Sequence, residues 1–169
     1  NPQSPGSNDV IHAFVDRQGR LWICTRIGID LFDPAQNSWK HFILGTAKDG
    51  GLGYREVQTY PATLIVPAIP GDADGVDKAH IYQDDRGTIW IAHRGLHCYD
   101  PSSQTMHSVL NRFVSTIVPY GAQGLLLVGN DILWRLSMPN KTVEAVDYDR
   151  GARKSGGTIY DCIADRAGS

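Results

Sequence analysis

Glutamate is nearly missing from this chain. Of 18 acidic residues in 169, only Glu56 and Glu144 are glutamates, and the rest are aspartates. Aspartate favours turns where glutamate favours helix interiors, so the imbalance argues against a helical protein. Long apolar runs are absent as well: none approaches the ~18–20 residues of a membrane-spanning helix. The start, Asn1 to Asn8, is polar and lacks the basic and apolar regions of a signal peptide. Cysteine is scarce. Cys24, Cys98 and Cys162 are an odd number, which excludes a complete disulfide framework, and all three sit in apolar, strand-like contexts as small buried hydrophobes. With no C-x-x-C and no suitably spaced histidine pair, no metal site is expected. An excess of positive charge is missing too. The net charge of −2 and pI of about 6.3 exclude a broad nucleic-acid footprint. The nucleophile-elbow, H-E-x-x-H, P-loop and dinucleotide-binding glycine patterns are all absent. Neither glutamate has a carboxylate partner at a matched position, and nothing singles out a pair of aspartates. No catalytic residue and no cofactor are therefore expected.

What is present is turn chemistry and repetition. Eighteen glycines and nine prolines accompany 41% hydrophobic residues, and no segment sustains a 3.6-residue apolar period. The expectation is an all-β chain with almost no helix. Asp16, Gly19, Trp22 and Ile23 recur as Asp84, Gly87, Trp90 and Ile91 at a constant offset of 68, and His12 recurs as His80. Asp33-Pro34 recurs as Asp100-Pro101 one residue earlier. A weaker third copy aligns Gly124 to Val128 with Gly87 to Ile91 at an offset of 37, and Asp165 to Gly168 repeats Asp16 to Gly19 at 149. Each copy reads as four short strands, A to D. Strand A ends at the aspartate of a D-x-x-G hairpin, in which Asp accepts backbone N–H bonds and Gly takes positive φ. The prolines open the turn between strands C and D. Four strands in ~40 residues, repeated, predict a partial β-propeller: about three four-stranded antiparallel blades plus the first strand of a fourth. The boundaries are blade 1 at about 9–43, an insertion at about 44–77, blade 2 at about 78–110, blade 3 at about 113–147 and the start of blade 4 at about 158–169.

The run Asp16-Arg17-Gln18-Gly19-Arg20-Leu21-Trp22-Ile23-Cys24-Thr25, followed by Gly28-Ile29 and Phe32-Asp33-Pro34, resembles the two-component regulator propeller repeat. The second copy carries the resemblance through Trp90-Ile91, Gly95-Leu96 and Tyr99-Asp100-Pro101. Cys24 and Ala92 stand where the family pattern has Gly, His93 stands for Thr, and the third copy lacks both Asp and Trp. The resemblance implies the periplasmic sensor region of a hybrid histidine kinase and response regulator, with an oligosaccharide as ligand. Membrane span, kinase and DNA-binding parts would then lie outside this chain. It further implies, as partners, the remaining blades of a longer protein. A second copy of this chain is the alternative, because propellers close with ~4–8 blades and open sheet edges recruit strands. A propeller enzyme, lyase or glycan-cleaving, and a protein-binding scaffold remain as alternatives.

The marker glycines Gly19, Gly87, Gly124 and Gly168 are spaced 68, 37 and 44 residues apart, which puts the largest insertion between strand D of blade 1 and strand A of blade 2. Ala62 to Val66 is the β-prone part of it. Asp72 to Asp77 is a solvated acidic loop rather than a calcium loop, since its Gly comes early and no distal Glu follows. In an up-and-down blade the D–A and B–C connections emerge on one face. That face should carry Arg26, Arg94 and Asn130-Asp131 together with the insertion. Tyr54, Arg55 and Tyr60 with Arg26, His93 and Arg94 are thus the candidate ligand residues, offering aromatic platforms and planar hydrogen-bonding groups. Solvent-exposed loop arginines are the plainer reading of Arg26 and Arg94. Trp22 and Trp90, recurring at one repeat position, are core. Trp39 and Trp134 do not recur and are open to either reading, core or sugar platform, with core preferred. His12 and His80 in strand A, with Asp161 in the last copy, are read as structural.

Overall fold

The computed structural model describes residues 4–46, 52–61, 78–129, 132–138 and 140–146. Among them there is no helix, and the strands form three antiparallel sheets. The first contains β1 (Val10–Val15), β2 (Leu21–Thr25), β3 (Gly28–Asp33), β4 (Ser38–Thr46) and β5 (Leu52–Val57) in that order. The second contains β6 (Ala79–Gln83), β7 (Ile89–His93), β8 (Leu96–Asp100) and β9 (Thr105–Leu110). The third contains β10 (Thr116–Tyr120), β11 (Gly124–Val128), β12 (Leu133–Ser137) and β13 (Thr142–Val146). Each is an up-and-down blade. The expected start of blade 4, with Asp161 and Cys162, lies outside the described residues, as do Ala62 to Val66 and Asp72 to Asp77.

The repeated aspartate does more than close its hairpin. Asp16 Oδ1 accepts from the Gln18 and Arg20 backbone N–H groups at 3.0 and 2.9 Å, and Oδ2 accepts from Trp22 Nε1 at 2.9 Å. Asp84 repeats this with Arg86 N, Thr88 N and Trp90 Nε1 at 3.0, 2.9 and 2.9 Å. A buried indole must satisfy its N–H, and a carboxylate six residues upstream does so while holding the turn. Gly19 and Gly87 have φ of 77° and 87°, and nothing lies within 4 Å of where a Gly19 Cβ would stand. Glycine is required there by the backbone and not by crowding.

The blades stack face to face. Trp22 and Trp90 are 0% and 1% exposed and occupy equivalent places, each on the face turned to the next blade. Trp22 packs edge-on to Tyr99 of blade 2, with ring centroids 4.9 Å apart, inside a core that also contains Cys24, Leu31, Phe42, Ile81 and Ile89. Trp90 seats in a second core with Cys98, Val114, Leu125 and Leu136. The first strands lie side by side: the His12 and His80 rings meet edge-on at 5.8 Å, and Ile117 N donates to His80 Nδ1 at 2.9 Å. At the A–B turns, Arg17 reaches blade 2, donating from N to Gln83 Oε1 at 2.9 Å and from Nη1 to Asp84 O at 3.0 Å.

Two features differ from the sequence expectation. Blade 1 has five strands and not four. Its strand D continues past Ile43 to Thr46, and the insertion adds β5 along that edge, with Leu44 opposite Tyr54 and His41 opposite Val57. Glycines at 45, 50, 51 and 53 make this stretch read as a loop. The third blade is also shifted by one residue. Tyr120 pairs with Gly124 across a three-residue loop, so Tyr120 takes the place of Asp84 and Gly124 that of Thr88. The offset is 36 and not 37, and Leu126, not Leu127, stands where Trp90 does. In a strand, one residue of slip exchanges the two faces. Accordingly Leu127 is fully buried towards blade 2, while Leu126 is half-buried on the opposite face.

Candidate functional site

The register fixes where the insertion emerges. Gly28 opposite Ile43 and Thr46 opposite Leu52 put the end of β4 and the start of β5 at the end of the sheet that carries the Arg26 loop, away from Gly19. The six candidate residues then divide. Arg26 and Arg55 are exposed, and Arg26 Nε lies 3.8 Å from Asp9 Oδ2. Arg94 adopts φ of 50° in the equivalent loop of blade 2. The other three enter packed environments.

Tyr54, 7% exposed, projects from β5 into the seam between blades 1 and 2. Its hydroxyl is hydrogen-bonded to His93 Nδ1 at 2.5 Å, and its ring stands edge-on to His97 with centroids 4.7 Å apart. His93 and His97 are 2% and 0% exposed. Burial lowers His93 to about 3, helped by the Arg94 charge and by His97, and burial lowers His97 to about 4. Both imidazoles are therefore neutral at ordinary pH, and Tyr54, held well above the usual phenol range by burial, stays protonated. The Thr25 backbone approaches His93 and the Arg94 backbone approaches His97. Even so, His93 Nε2 and both nitrogens of His97 have no hydrogen-bond partner of acceptable geometry among the described residues.

Tyr60 lies on the other face of blade 1. Its hydroxyl donates to Asp30 Oδ1 at 2.9 Å, where His41 Nδ1 also bonds at 2.7 Å, and Gly6 N donates to Oδ2 at 2.9 Å. Asp30 is fully buried, and this set of donors replaces its water. The ring rests where side chains on Gly6 and Gly28 would stand: a Cβ on either would come within 2.4 Å of Tyr60. Sequence spacing gives no sign of the burial of Asp30 and His41 on the outer face of blade 1, or of His97 in the seam with blade 2. The one regularity is that Asp30 and His97 occupy the same position of their third strands, opposite Ile23 and Ile91. Among the described residues no cluster of three metal-ligating side chains exists. Trp39 is half-buried against Phe32 at 4.8 Å, and Trp134 covers Gly129. An opening of about 430 Å³ lies on the far face of blade 3, lined by Tyr120, Gln123, Arg135, Thr142 and Glu144.

Antiparallel sheets stacked face to face, first strands innermost and an Asp–Trp bond repeated in successive sheets, define blades of a β-propeller. Residues 4–26 match the family described as "Two component regulator propeller". No curated protein matches the chain. Among solved structures, the extracellular domain attributed to the hybrid two component system BT3049 of B. thetaiotaomicron is 19% identical, with a TM-score of 0.40 over 93% of this chain. That attributed to the system BT4673 of the same organism is 13% identical over 88%, with a TM-score of 0.34. PorZ, a surface component of the type-IX secretion system of Porphyromonas gingivalis, is 15% identical over 96%, with a TM-score of 0.41. The chain spans 24%, 25% and 30% of these three structures' lengths.

Proposed function

We propose that this chain is part of the extracytoplasmic, periplasmic sensor propeller of a hybrid two-component signalling protein, binding an oligosaccharide and controlling a histidine kinase carried elsewhere in the protein. The observation that supports the reading most is the D-x-x-G-x-L-W-I run of blade 1, which lies inside the segment that matches the regulator propeller family, together with its D-x-x-G-x-I-W-I counterpart in blade 2 and the Asp–Trp bond that both carry. Arg26 and Arg55, both exposed and near the B–C end of blade 1, support this reading as groups that could hydrogen-bond such a ligand. The fragment itself has no catalytic role in this reading. The coding sequence downstream tests it directly: a membrane span followed by a kinase domain is the expected result, and a stop codon or a secreted enzyme domain would overturn it. On the protein, calorimetric titration with neutral oligosaccharides should give binding that Arg26→Ala with Arg94→Ala weakens. Turnover of the bound oligosaccharide would favour the enzyme alternative.

A further inference from the structure

The seam between blades 1 and 2 has an unusual balance of donors and acceptors. Tyr54 and His93 Nδ1 share one hydrogen bond, and His93 Nε2 is left with no partner of acceptable geometry, although the Thr25 backbone comes near the ring. His97 offers one N–H and one bare nitrogen, and neither has a partner of acceptable geometry, although the backbones of Arg94 and His93 come near the ring. Three buried ring nitrogens thus lack a partner of good geometry in one place. Buried polar groups are nearly always paired, so a group of orphans calls for an explanation. The group that covers them is also foreign to the repeat. Tyr54 belongs to the fifth strand, supplied by the insertion, whereas Cys24, His93 and His97 belong to regular blade strands. The site sits at the B–C end, beside Arg94.

We propose that this seam is a binding site for a hydroxylated ring and that Tyr54 is its built-in, displaceable occupant. A hydroxyl is both donor and acceptor. A ligand with several hydroxyls on one ring meets His93 Nδ1, as Tyr54 does, and also reaches the nitrogens that a phenol with a single hydroxyl leaves unpaired. Binding would then lift β5 away from blade 2 and alter the contact between the two blades. That the natural ring is a sugar rests on the sensor reading above. The recognition of a hydroxyl in this seam does not.

Cys24 is a reporter inside the protein. It is fully buried in the same core as Tyr54, whereas Cys98 is buried between blades 2 and 3. Alkylation of each thiol, read peptide by peptide by mass spectrometry, measures the opening of each seam. Tyr54→Phe keeps the ring and removes the hydroxyl, and it should speed Cys24 labelling about fivefold, the equivalent of one net hydrogen bond, with Cys98 unchanged. In Tyr54→Ala, added phenol should restore the protection of Cys24 and toluene should not. Unchanged Cys24 labelling in Tyr54→Phe, a parallel rise at Cys98, or equal protection by toluene would each overturn the proposal. The Tyr54→Phe measurement stands by itself if Tyr54→Ala fails to fold. A negative result here removes the site and leaves the sensor reading to its own test.

Discussion

At the residue scale, the Asp–Trp pair explains why this repeat is written as it is. One carboxylate closes the A–B hairpin with one oxygen and satisfies the indole of the next strand with the other. Trp90→Ala should cost about 3–5 kcal/mol in denaturant unfolding, as for other buried aromatics. Trp90→Phe keeps most of the packing but strips Asp84 of a buried donor, and should cost about 1–3 kcal/mol. The buried histidines make a second, independent forecast. His93 and His97 have folded values of about 3 and 4, below the ordinary 6.5. Between those limits the unfolded chain binds more protons than the folded one, so stability is complete above pH 6.5 and is lost as pH falls towards 4. His97→Asn should flatten that dependence, measured as the urea midpoint at pH 7 and at pH 4.5. An unchanged slope would show that His97 is not desolvated.

At the scale of the strand, the third blade separates two alignments that the sequence could not. If Leu126 holds the place of Trp90, Leu126→Trp combined with Tyr120→Asp should rebuild the Asp–Trp bond on the open face without loss of stability. Leu127→Trp forces an indole into the filled core against blade 2 and should destabilise by about 1–3 kcal/mol. Thermal unfolding of the two variants decides the register, and the reverse order would restore the offset of 37. The added strand has its own check. A Cβ at Gly28 would stand 2.4 Å from both Phe42 O and Tyr60 Oη. Gly28→Ala should therefore unseat Tyr60 and hasten proteolysis within 58–61, with the blade 2 strands protected as before.

For the molecule as a whole, the outer faces of the stack matter most. Blade 1 turns Val15, 62% exposed, and the half-buried Leu21, Phe32 and Trp39 away from blade 2. The equivalent row of blade 2, including Ile89 and Tyr99, is sealed by blade 1. Blade 3 instead presents Arg135 paired with Glu144 at 3.0 Å across its strands. An apolar row of this kind draws in another sheet, so the isolated chain should self-associate in light scattering. Val15→Lys with Trp39→Lys should return it to the monomer. A monomeric parent chain at high concentration would show that the row needs no cover.

The blades were legible in the sequence because their cause is local. A turn aspartate, a positive-φ glycine and an indole six residues after the aspartate are fixed by spacing along one chain, and they repeat. Blade 3 was misread by one residue because it has lost both the aspartate and the tryptophan, leaving a glycine that marks the wrong position. β5 was hidden for a similar reason: glycines flank it, and it is a strand only because the β4 edge offers hydrogen bonds. The repeat spacing puts Tyr54, His93 and Tyr60 near one face, but it carries no sign of their burial. It depends on blade 2 approaching blade 1 and on Gly6 and Gly28 leaving room for a ring. Sequence determined the unit and its repetition. Which polar groups are shut inside, and which lack partners there, was decided by the contact between sheets, because desolvation is set by neighbours in space and not along the chain.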